Sequence, residues 1–274
     1  MFRFATPPSG GVRVLCSAFF VRPPRAMGRS HAPALMSNPT LRVRHHPAMV
    51  SATPPPGLAP ADHALLLDGP AGALEVALDL PEPGVDPLPL LAVVCHPLPT
   101  EGGTMHNKVV TMTARALREC GATTVRFNFR GVGRSAGNFD EGRGEADDLR
   151  AVGAWARAEH PDKQLWLAGF SFGAYVSLKL AAELQPGLLL SIAPPVGRTW
   201  DFTGIEAPPC PWLVIQGEAD EIVDAQAVKS WAEAQQPPPE LVLMPDTSHF
   251  FHRKLMDLRG AIKAGVRPYL PAAA

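Results

Sequence analysis

The stretch LAGFSFGAYVSLKL, residues 167–180, decides the fold. An apolar strand pattern runs up to Phe170, and a helical pattern follows Ser171 without a linker. Gly169 and Gly173 stand two residues to either side of Ser171, where small residues let a strand and a helix approach closely. Two interpretations compete: a tight turn that happens to contain a serine, and a strained turn that exposes the Ser171 hydroxyl for chemistry.

Segments around this stretch alternate between strand and helix patterns. Residues 63–80 contain two strand patterns joined by Gly-Pro-Ala-Gly, which predicts an antiparallel hairpin at the start. Further strands are predicted at 88–97, 122–129, 163–170, 187–195, 211–217 and 240–246. Helices are predicted at 107–120, 144–160, after Ser171, at 224–236 and at 250–265. The alternation predicts an α/β fold, a doubly wound and mostly parallel sheet with helices on both faces, whose ligands bind at the carboxyl ends of the strands.

Residues 1–61 differ in composition from the remainder, with no acidic residue and many scattered arginines and prolines. Such a segment forms neither long helices nor central strands, so we expect a disordered leader before a folded domain at 62–274. We favour a start codon set too far upstream or a disordered leader over the alternative of an organelle-targeting segment. A secretory signal at VLCSAFFV, residues 14–21, is disfavoured because no convincing cleavage site follows.

Composition and charge argue against several classes of function. The formal net charge of −1 gives no indication of a nucleic-acid or anionic-membrane surface. No apolar run approaches the roughly 18 residues that a membrane-spanning helix needs. The cysteines, Cys16, Cys95, Cys120 and Cys210, show neither a CxxC pair nor metal-ligand spacing, so we expect neither a disulfide framework nor a zinc site. A cytoplasmic location fits these thiols, with an organelle as the alternative if the leader is a transit peptide.

Two later strand ends supply the groups that would activate Ser171. A serine hydroxyl needs a base to take its proton, and the base needs an acid to orient it. Asp220 follows the strand that ends at Gly217, with Asp224 as the alternative acid. His249 follows the last strand and is the predicted base, while the alternative His252 is predicted to lie within the last helix already. The chain order Ser, Asp, His is the one typical of a strand-turn-helix serine nucleophile.

The loop after the strand at 88–97 is predicted to help stabilise an oxyanion. One donor would be the main-chain N–H of Phe172, at the start of a helix. Pro97 has no N–H, so we assign the second donor to Leu98 and expect His96 to shape this loop rather than act as a base.

A competing motif lies at Gly131-Val-Gly-Arg-Ser-Ala136, which matches the Gly-x-Gly-x-x-Ala pattern of dinucleotide sites. That pattern must open a helix at once, but Gly137, Asn138 and Gly142 predict several more irregular residues. We therefore interpret the segment as a glycine-rich loop that borders the active site.

From about residue 62 onwards the chain resembles the α/β-hydrolase superfamily. The resemblance rests on CHPLPTEGGTMHNKVV (95–110), RFNFRGVGRSAGNFDEG (126–142), GEADDLRAV (144–152) and GFSFGAYVSL (169–178), which together look like a subgroup of small bacterial hydrolases related to carboxylesterases and dienelactone hydrolases. It implies a serine hydrolase with Ser171, Asp220 and His249 at its centre. Dienelactone hydrolases use cysteine at the elbow, so the serine argues against that activity.

Larger members of this superfamily carry a cap domain, for which the residues between 195 and 211 leave no room. We expect an open pocket for small esters or thioesters, cleaved through an acyl-serine without a metal or cofactor, in a chain that could form a homodimer. Weak candidates for the pocket wall are His96, Phe170, Phe172, Trp200 and Phe202. Amide or peptide hydrolysis uses the same groups, and a non-catalytic binding protein of this fold is a further alternative.

Overall fold

The structure is a computed structural model that describes residues 43–44 and 63–272. These residues all fall within one compact unit, Thr40–Ala274. The leader predicted at 1–61 lies outside the described residues, apart from Val43–Arg44, which form the short strand β1.

One sheet organises the described part of the chain. Its strands are β1 Val43–Arg44, β2 His63–Gly69, β3 Gly72–Asp79, β4 Leu90–Cys95, β5 Thr123–Phe127, β6 Gln164–Phe170, β7 Leu189–Ile192, β8 Trp212–Gly217 and β9 Glu240–Met244. Their spatial order is β1-β2-β3-β5-β4-β6-β7-β8-β9. Neighbours from β1 to β5 pair antiparallel, and all pairs from β5 onwards are parallel. The predicted opening hairpin and mostly parallel sheet are confirmed.

Five α-helices connect the strands in the described residues: α1 Lys108–Arg118, α2 Gly144–Glu159, α3 Phe172–Leu184, α4 Ala225–Glu233 and α5 Leu255–Val266. The side chains of Asn107 and Asp224 cap α1 and α4 by accepting hydrogen bonds from main-chain N–H groups of the first turns. Among these described helices, none has both the length and the apolarity to cross a membrane.

The last helix begins five residues later than the sequence pattern predicts, at Leu255 instead of Phe250. Phe251 and Arg253 have φ angles of 53° and 59°, which a right-handed helix does not allow. The fully buried Phe251 side chain anchors the intervening turns in the core. His252 therefore lies in a turn, and the prediction that it is helical is wrong.

Both faces of the sheet are covered, which explains why its central strands are continuously apolar. In β4, Leu91, Val93 and Cys95 pack into the cluster that includes residues of α2, α3 and α4. The alternating residues Leu90, Ala92 and Val94 pack with those of α1 and α5. The doubly wound architecture is thereby confirmed.

The connection from β7 to β8, residues 193–211, contains no helix or strand, and every residue of it is described. No cap domain is therefore inserted at this point, as expected. The loops that follow β4, β6, β8 and β9 leave the sheet at the shared carboxyl end of the parallel strands, where the candidate site lies.

Candidate active site

Ser171 occupies a strained turn between β6 and α3. Its φ and ψ angles are 52° and −118°, a combination that residues with a side chain rarely adopt. A Cβ atom on Gly169 would lie 2.2 Å from the carbonyl oxygen of Gly173, and one on Gly173 would lie 2.4 Å from that of Cys95. Both positions therefore require glycine, and the second contact seats the turn against the end of β4.

The three side chains predicted to act together are in hydrogen-bond contact. His249 Nε2 lies 3.1 Å from Ser171 Oγ, and His249 Nδ1 lies 2.8 Å from Asp220 Oδ2. Because a carboxylate only accepts, Nδ1 carries the proton, and Nε2 is left to accept a hydrogen bond from the serine hydroxyl. His249 is only 2% exposed, whereas Ser171 is partly exposed. The arrangement can activate Ser171 as a nucleophile; catalysis itself stays a prediction.

The carboxylate of Asp220 accepts hydrogen bonds on both of its oxygens. Oδ1 accepts from the N–H groups of Ile222 and Val223 at 2.9 and 2.7 Å. Oδ2 accepts from His249 Nδ1 at 2.8 Å and from Gln216 Nε2 at 2.9 Å. Burial alone would raise the pKa of Asp220, but the hydrogen bonds from His249, Val223 and Ile222 hold its pKa below the usual value. The group is therefore ionised at neutral pH.

Asp224, the alternative acid, and His252, the alternative base, have contacts elsewhere. Asp224 caps α4 by accepting a hydrogen bond from the N–H of Gln226 at 3.0 Å. His252 is exposed in the turn before α5, where its ring stands 6.0 Å from that of Phe250. Within the described chain, neither side chain bonds to Ser171 or His249. The geometry thus favours Asp220 and His249.

The two predicted oxyanion donors have free N–H groups. Neither the N–H of Phe172 nor that of Leu98 has an acceptor among the described residues. The carbonyl oxygen of His96 would lie 2.7 Å from a Cβ on Gly173, so the loop that carries Leu98 starts directly beside the Ser171 turn. Both donors are therefore available to a ligand.

His96 is fully buried between two loops. Its Nδ1 donates to the carbonyl oxygen of Pro97 at 2.6 Å, and its Nε2 accepts from the N–H of Phe129 at 3.0 Å. Burial lowers the pKa of His96 to about 4, so the ring is neutral near pH 7. These contacts agree with a role in shaping the loop. They correct the expectation that His96 lines the pocket, because its side chain has no exposed surface.

The aromatic candidates for the pocket wall divide into two groups. Phe170 and Phe172 are 1% and 0% exposed, so their side chains belong to the core and the expectation that they line a pocket is wrong. Trp200 and Phe202 are partly exposed. The Trp200 ring centre lies 4.7 Å from that of Phe172, and Phe139, which the sequence analysis did not single out, lies 6.4 Å from Trp200. These rings attach the connection from β7 to β8 to the first turns of α3.

The glycine-rich segment after β5 is a loop, as interpreted. The next helix, α2, begins only at Gly144, so the Gly131–Ala136 motif opens no helix. Buried Glu145 accepts from the N–H groups of Asp140 and Gly142 at 2.9 and 2.7 Å, which holds the end of the loop. This arrangement gives no support to dinucleotide binding.

Sequence reasoning missed two neighbours of the Asp220–His249 pair. Gln216 bonds to Asp220, and Glu221 Oε2 accepts from the main-chain N–H of His249 at 3.1 Å. Gln216 is the only polar side chain in Trp212–Gly217, a signal that could have been noticed. Glu221 stands among other loop acids, and nothing in the sequence distinguishes it. Among the described side chains there is no group of three or more His, Cys, Asp or Glu residues suited to a metal ion.

Comparison with known proteins places the fold in a family. A sequence model of the α/β-hydrolase fold family matches residues 93–194. The crystal structure of a Xanthomonas campestris protein, described as an α/β serine hydrolase without a lid, is 65% identical with a TM-score of 0.76 and covers 80% of this chain and 100% of that one. An α/β serine hydrolase homologue from Coxiella burnetii is 42% identical with a TM-score of 0.72 and covers 77% of this chain and 100% of that one.

An uncharacterised protein of Rickettsia prowazekii is 41% identical over 144 residues. The match covers 51% of this chain and 60% of that relative's length. Taken with the two solved structures, these similarities show that the chain belongs to the α/β-hydrolase family, and they support a hydrolase.

Proposed function

We propose that this protein is a serine hydrolase that cleaves small esters or thioesters through an acyl-serine intermediate. Ser171 is the nucleophile, His249 the general base and Asp220 the acid that orients it. The observation that carries the proposal is the pair of contacts of His249, 3.1 Å from Nε2 to Ser171 Oγ and 2.8 Å from Nδ1 to Asp220 Oδ2.

Acylation begins when Ser171 Oγ attacks the carbonyl carbon of the substrate and His249 Nε2 takes the hydroxyl proton. The carbonyl oxygen becomes an oxyanion, which the N–H groups of Phe172 and Leu98 stabilise. The imidazolium then donates its proton to the leaving oxygen or sulfur, and the bond from the carbonyl carbon to that atom breaks. An alcohol or thiol departs, and the acyl group stays on Ser171.

Deacylation repeats these steps with water. His249 removes a proton from a water molecule that attacks the acyl carbon, and the same two N–H groups stabilise the second oxyanion. The proton returns to Ser171 Oγ as the ester bond breaks, and a carboxylic acid leaves. Asp220 stays ionised throughout, in keeping with the direction in which its pKa is shifted.

In this proposal His96 orients the peptide group that supplies the second oxyanion donor. The C=O of Pro97 and the N–H of Leu98 belong to one planar peptide group and point in opposite directions. A hydrogen bond of 2.6 Å from His96 to that C=O therefore fixes the direction of the Leu98 N–H. The donor at Phe172 is fixed by its place in the first turn of α3.

The choice of small substrates rests on the uncapped connection between β7 and β8, which leaves Ser171 partly exposed. Trp200 and Phe202, the partly exposed aromatic residues of this connection, stay weak candidates for the pocket wall. Catalysis without a cofactor or metal, a cytoplasmic location and a homodimer also stay predictions.

The decisive test is covalent labelling with a fluorophosphonate together with hydrolysis of p-nitrophenyl acetate. We expect the wild-type protein to take one label on Ser171 and to release nitrophenol, and Ser171→Ala to do neither. Ser177→Ala is the matched control, because Ser177 is a buried serine of α3 that bonds only to the carbonyl of Ala174 among the described residues. Folded wild-type protein that neither takes the label nor hydrolyses the ester would refute the proposal and favour a non-catalytic binding protein.

A panel of matched acetyl esters, thioesters and anilides then separates the alternatives that share the same groups. We expect turnover of the ester and the thioester and little of the anilide, since an amine is a poorer leaving group. Faster turnover of the anilide would favour amide or peptide hydrolysis.

A further inference from the structure

Gln216 lies at the carboxyl end of β8, directly behind Asp220, and its side chain is fully buried. Its neighbours in the strand are apolar, and a buried amide is harder to accommodate there than a hydrocarbon side chain. The Nε2 atom lies 2.9 Å from Asp220 Oδ2 and 3.2 Å from the carbonyl oxygen of Gly217.

The orientation of this amide is fixed by its surroundings. Both N–H groups of Gln216 face acceptors, the carboxylate of Asp220 and the carbonyl of Gly217. Turning the amide over would place its oxygen against two groups that cannot donate. In the present orientation the Oε1 atom is buried without a hydrogen-bond partner among the described residues. The orientation that lets the Gln216 amide donate to Asp220 therefore leaves its own side-chain oxygen without a hydrogen bond, which is uncommon for a buried polar atom.

We propose that Gln216 is a positioning residue that sets how strongly Asp220 holds His249. This inference rests on the proposed function. Gln216 and His249 donate to the same oxygen, Oδ2, while Oδ1 accepts from Ile222 and Val223. Four donors thus occupy the four acceptor sites of one carboxylate, which cannot turn away from His249 without losing hydrogen bonds. Because the Gln216 amide shares the charge on Oδ2, it also makes Asp220 a weaker partner for a protonated His249.

Gln216 and His249 compete for the negative charge on Asp220 Oδ2. Without the Gln216 amide, more of the charge on Oδ2 would act on the imidazolium of His249, which favours the protonated ring. The active form of the base, with a neutral imidazole, would therefore appear only at higher pH. The acidic limb of the pH profile of kcat/KM, which reports this ionisation in the free enzyme, would therefore move upward.

Few other charged groups contact the pair. The two loops that meet here carry the titratable or charged side chains Glu218, Asp220, Glu221, Asp224, Asp246, His252 and Arg253, and the neighbouring loop after β4 carries His96, Glu101 and His106. Among these described groups, only Asp220 bonds to the ring of His249, and Glu221 bonds to its main-chain N–H. A shift of the acidic limb on changing Gln216 would thus report the contact with Asp220.

The first experiment measures kcat/KM of Gln216→Leu for p-nitrophenyl acetate between pH 5 and 9. We expect the midpoint of the acidic limb to rise by about 0.5 to 1 unit and the plateau to fall by roughly three- to tenfold, since one charge-assisted hydrogen bond is lost. Thr113→Val is the control, because it removes a buried hydroxyl that bonds to the Val109 carbonyl in α1, and its profile should match the wild type. A Gln216→Leu midpoint equal to that of the wild type would overturn the proposal, even if kcat fell.

Gln216→Glu decides the matter if Gln216→Leu does not fold. A protonated carboxyl group of the same length still donates to Oδ2, but once ionised it repels Asp220 and pushes it out of line with His249. We expect activity close to that of the wild type at low pH and an added loss as pH rises; a profile without that loss contradicts the proposal. Absence of wild-type labelling would instead refute the proposed function itself.

Discussion

The buried imidazole of His96 joins the loop after β4 to the end of β5, through its contacts with Pro97 and with the N–H of Phe129. Only the neutral ring can make both contacts, because Nε2 must accept while Nδ1 donates. Protonation would add a hydrogen to Nε2, which would then face the N–H of Phe129, so that two donors would meet without an acceptor. The ionisation of this one side chain is therefore coupled to folding as well as to the direction of the Leu98 N–H.

This coupling predicts how the free energy of unfolding depends on pH. The pKa of His96 is about 4 in the folded chain against 6.5 for the free side chain, so the unfolded chain binds more protons between these values. The stabilisation is complete above about pH 6.5 and is lost as pH falls towards 4. Urea titrations should show that the decrease from pH 7 to pH 4.5 is about 2 kcal/mol larger in the wild type than in His96→Gln. Equal decreases in the two proteins would contradict this assignment.

At the level of elements, the turn between β6 and α3 depends on contacts too close for a side chain. Gly173 belongs to the first turn of α3, and its hydrogen atoms face the carbonyl groups of Cys95 and His96 at the end of β4. The helix is thereby held against the strand, and Ser171 is held in its strained conformation. Packing between elements, rather than the intrinsic preference of serine, fixes this turn.

Gly173→Ala should therefore lower the free energy of unfolding by about 2 to 3 kcal/mol, because the added methyl group has no free space. Gly153→Ala in α2 is a matched control, since its Cβ would meet only the Leu184 side chain at an ordinary distance of 3.5 Å. That variant should gain up to about 1 kcal/mol from the better helix propensity of alanine. Denaturant unfolding of both proteins checks the contrast, and similar losses in the two would show that the close contact does not limit stability.

The order and type of the elements could be predicted from the sequence because continuous apolar strands and amphipathic helices alternate along most of the domain. The candidate acid and base could be predicted as well, since a parallel sheet brings its strand ends to one edge. The start of α5 could not, because the turns at Phe251 and Arg253 depend on burial of the Phe251 ring in the tertiary structure.

The wall of the pocket was also poorly predicted, for a related reason. Phe170 and Phe172 flank Ser171 in sequence, but the strained turn directs both rings into the core. Nothing in a linear sequence states which way such a ring points. Gln216 was missed because a single amide in an apolar strand is indistinguishable from any other core residue in the sequence. Only the structure shows its contact with Asp220.

Across the whole molecule, a buried ion pair ties the glycine-rich loop to the helical layer. Asp148 in α2 is fully buried and accepts from the N–H, Nε and Nη2 of Arg130 at distances from 2.8 to 3.2 Å. The Arg130 side chain is 12% exposed, so it has little access to water of its own. Removing one partner of such a pair is costly, because it leaves the charge of the other partner buried and unpaired.

Asp148→Ala should lower the free energy of unfolding by about 3 kcal/mol, because it leaves the Arg130 charge buried and unpaired. Arg150→Ala, which breaks exposed ion pairs with Asp147 and Glu183, should cost no more than about 1 kcal/mol. Thermal and urea unfolding of both variants tests the difference. Equal losses of unfolding free energy in the two variants would contradict the view that burial makes the Arg130–Asp148 pair more costly to break than an exposed pair.

The bare connection between β7 and β8 makes this domain a convenient recipient for grafted modules. A Cβ added at Gly204 would meet no atom within 4 Å, so a new segment spliced there begins in open space. The entropy of closing a longer loop grows only slowly with its length, so the host would tolerate a sizeable insert. A helical hairpin spliced at this point would give protein engineers an added module on an exposed connection, with Ser171, Asp220 and His249 left unchanged.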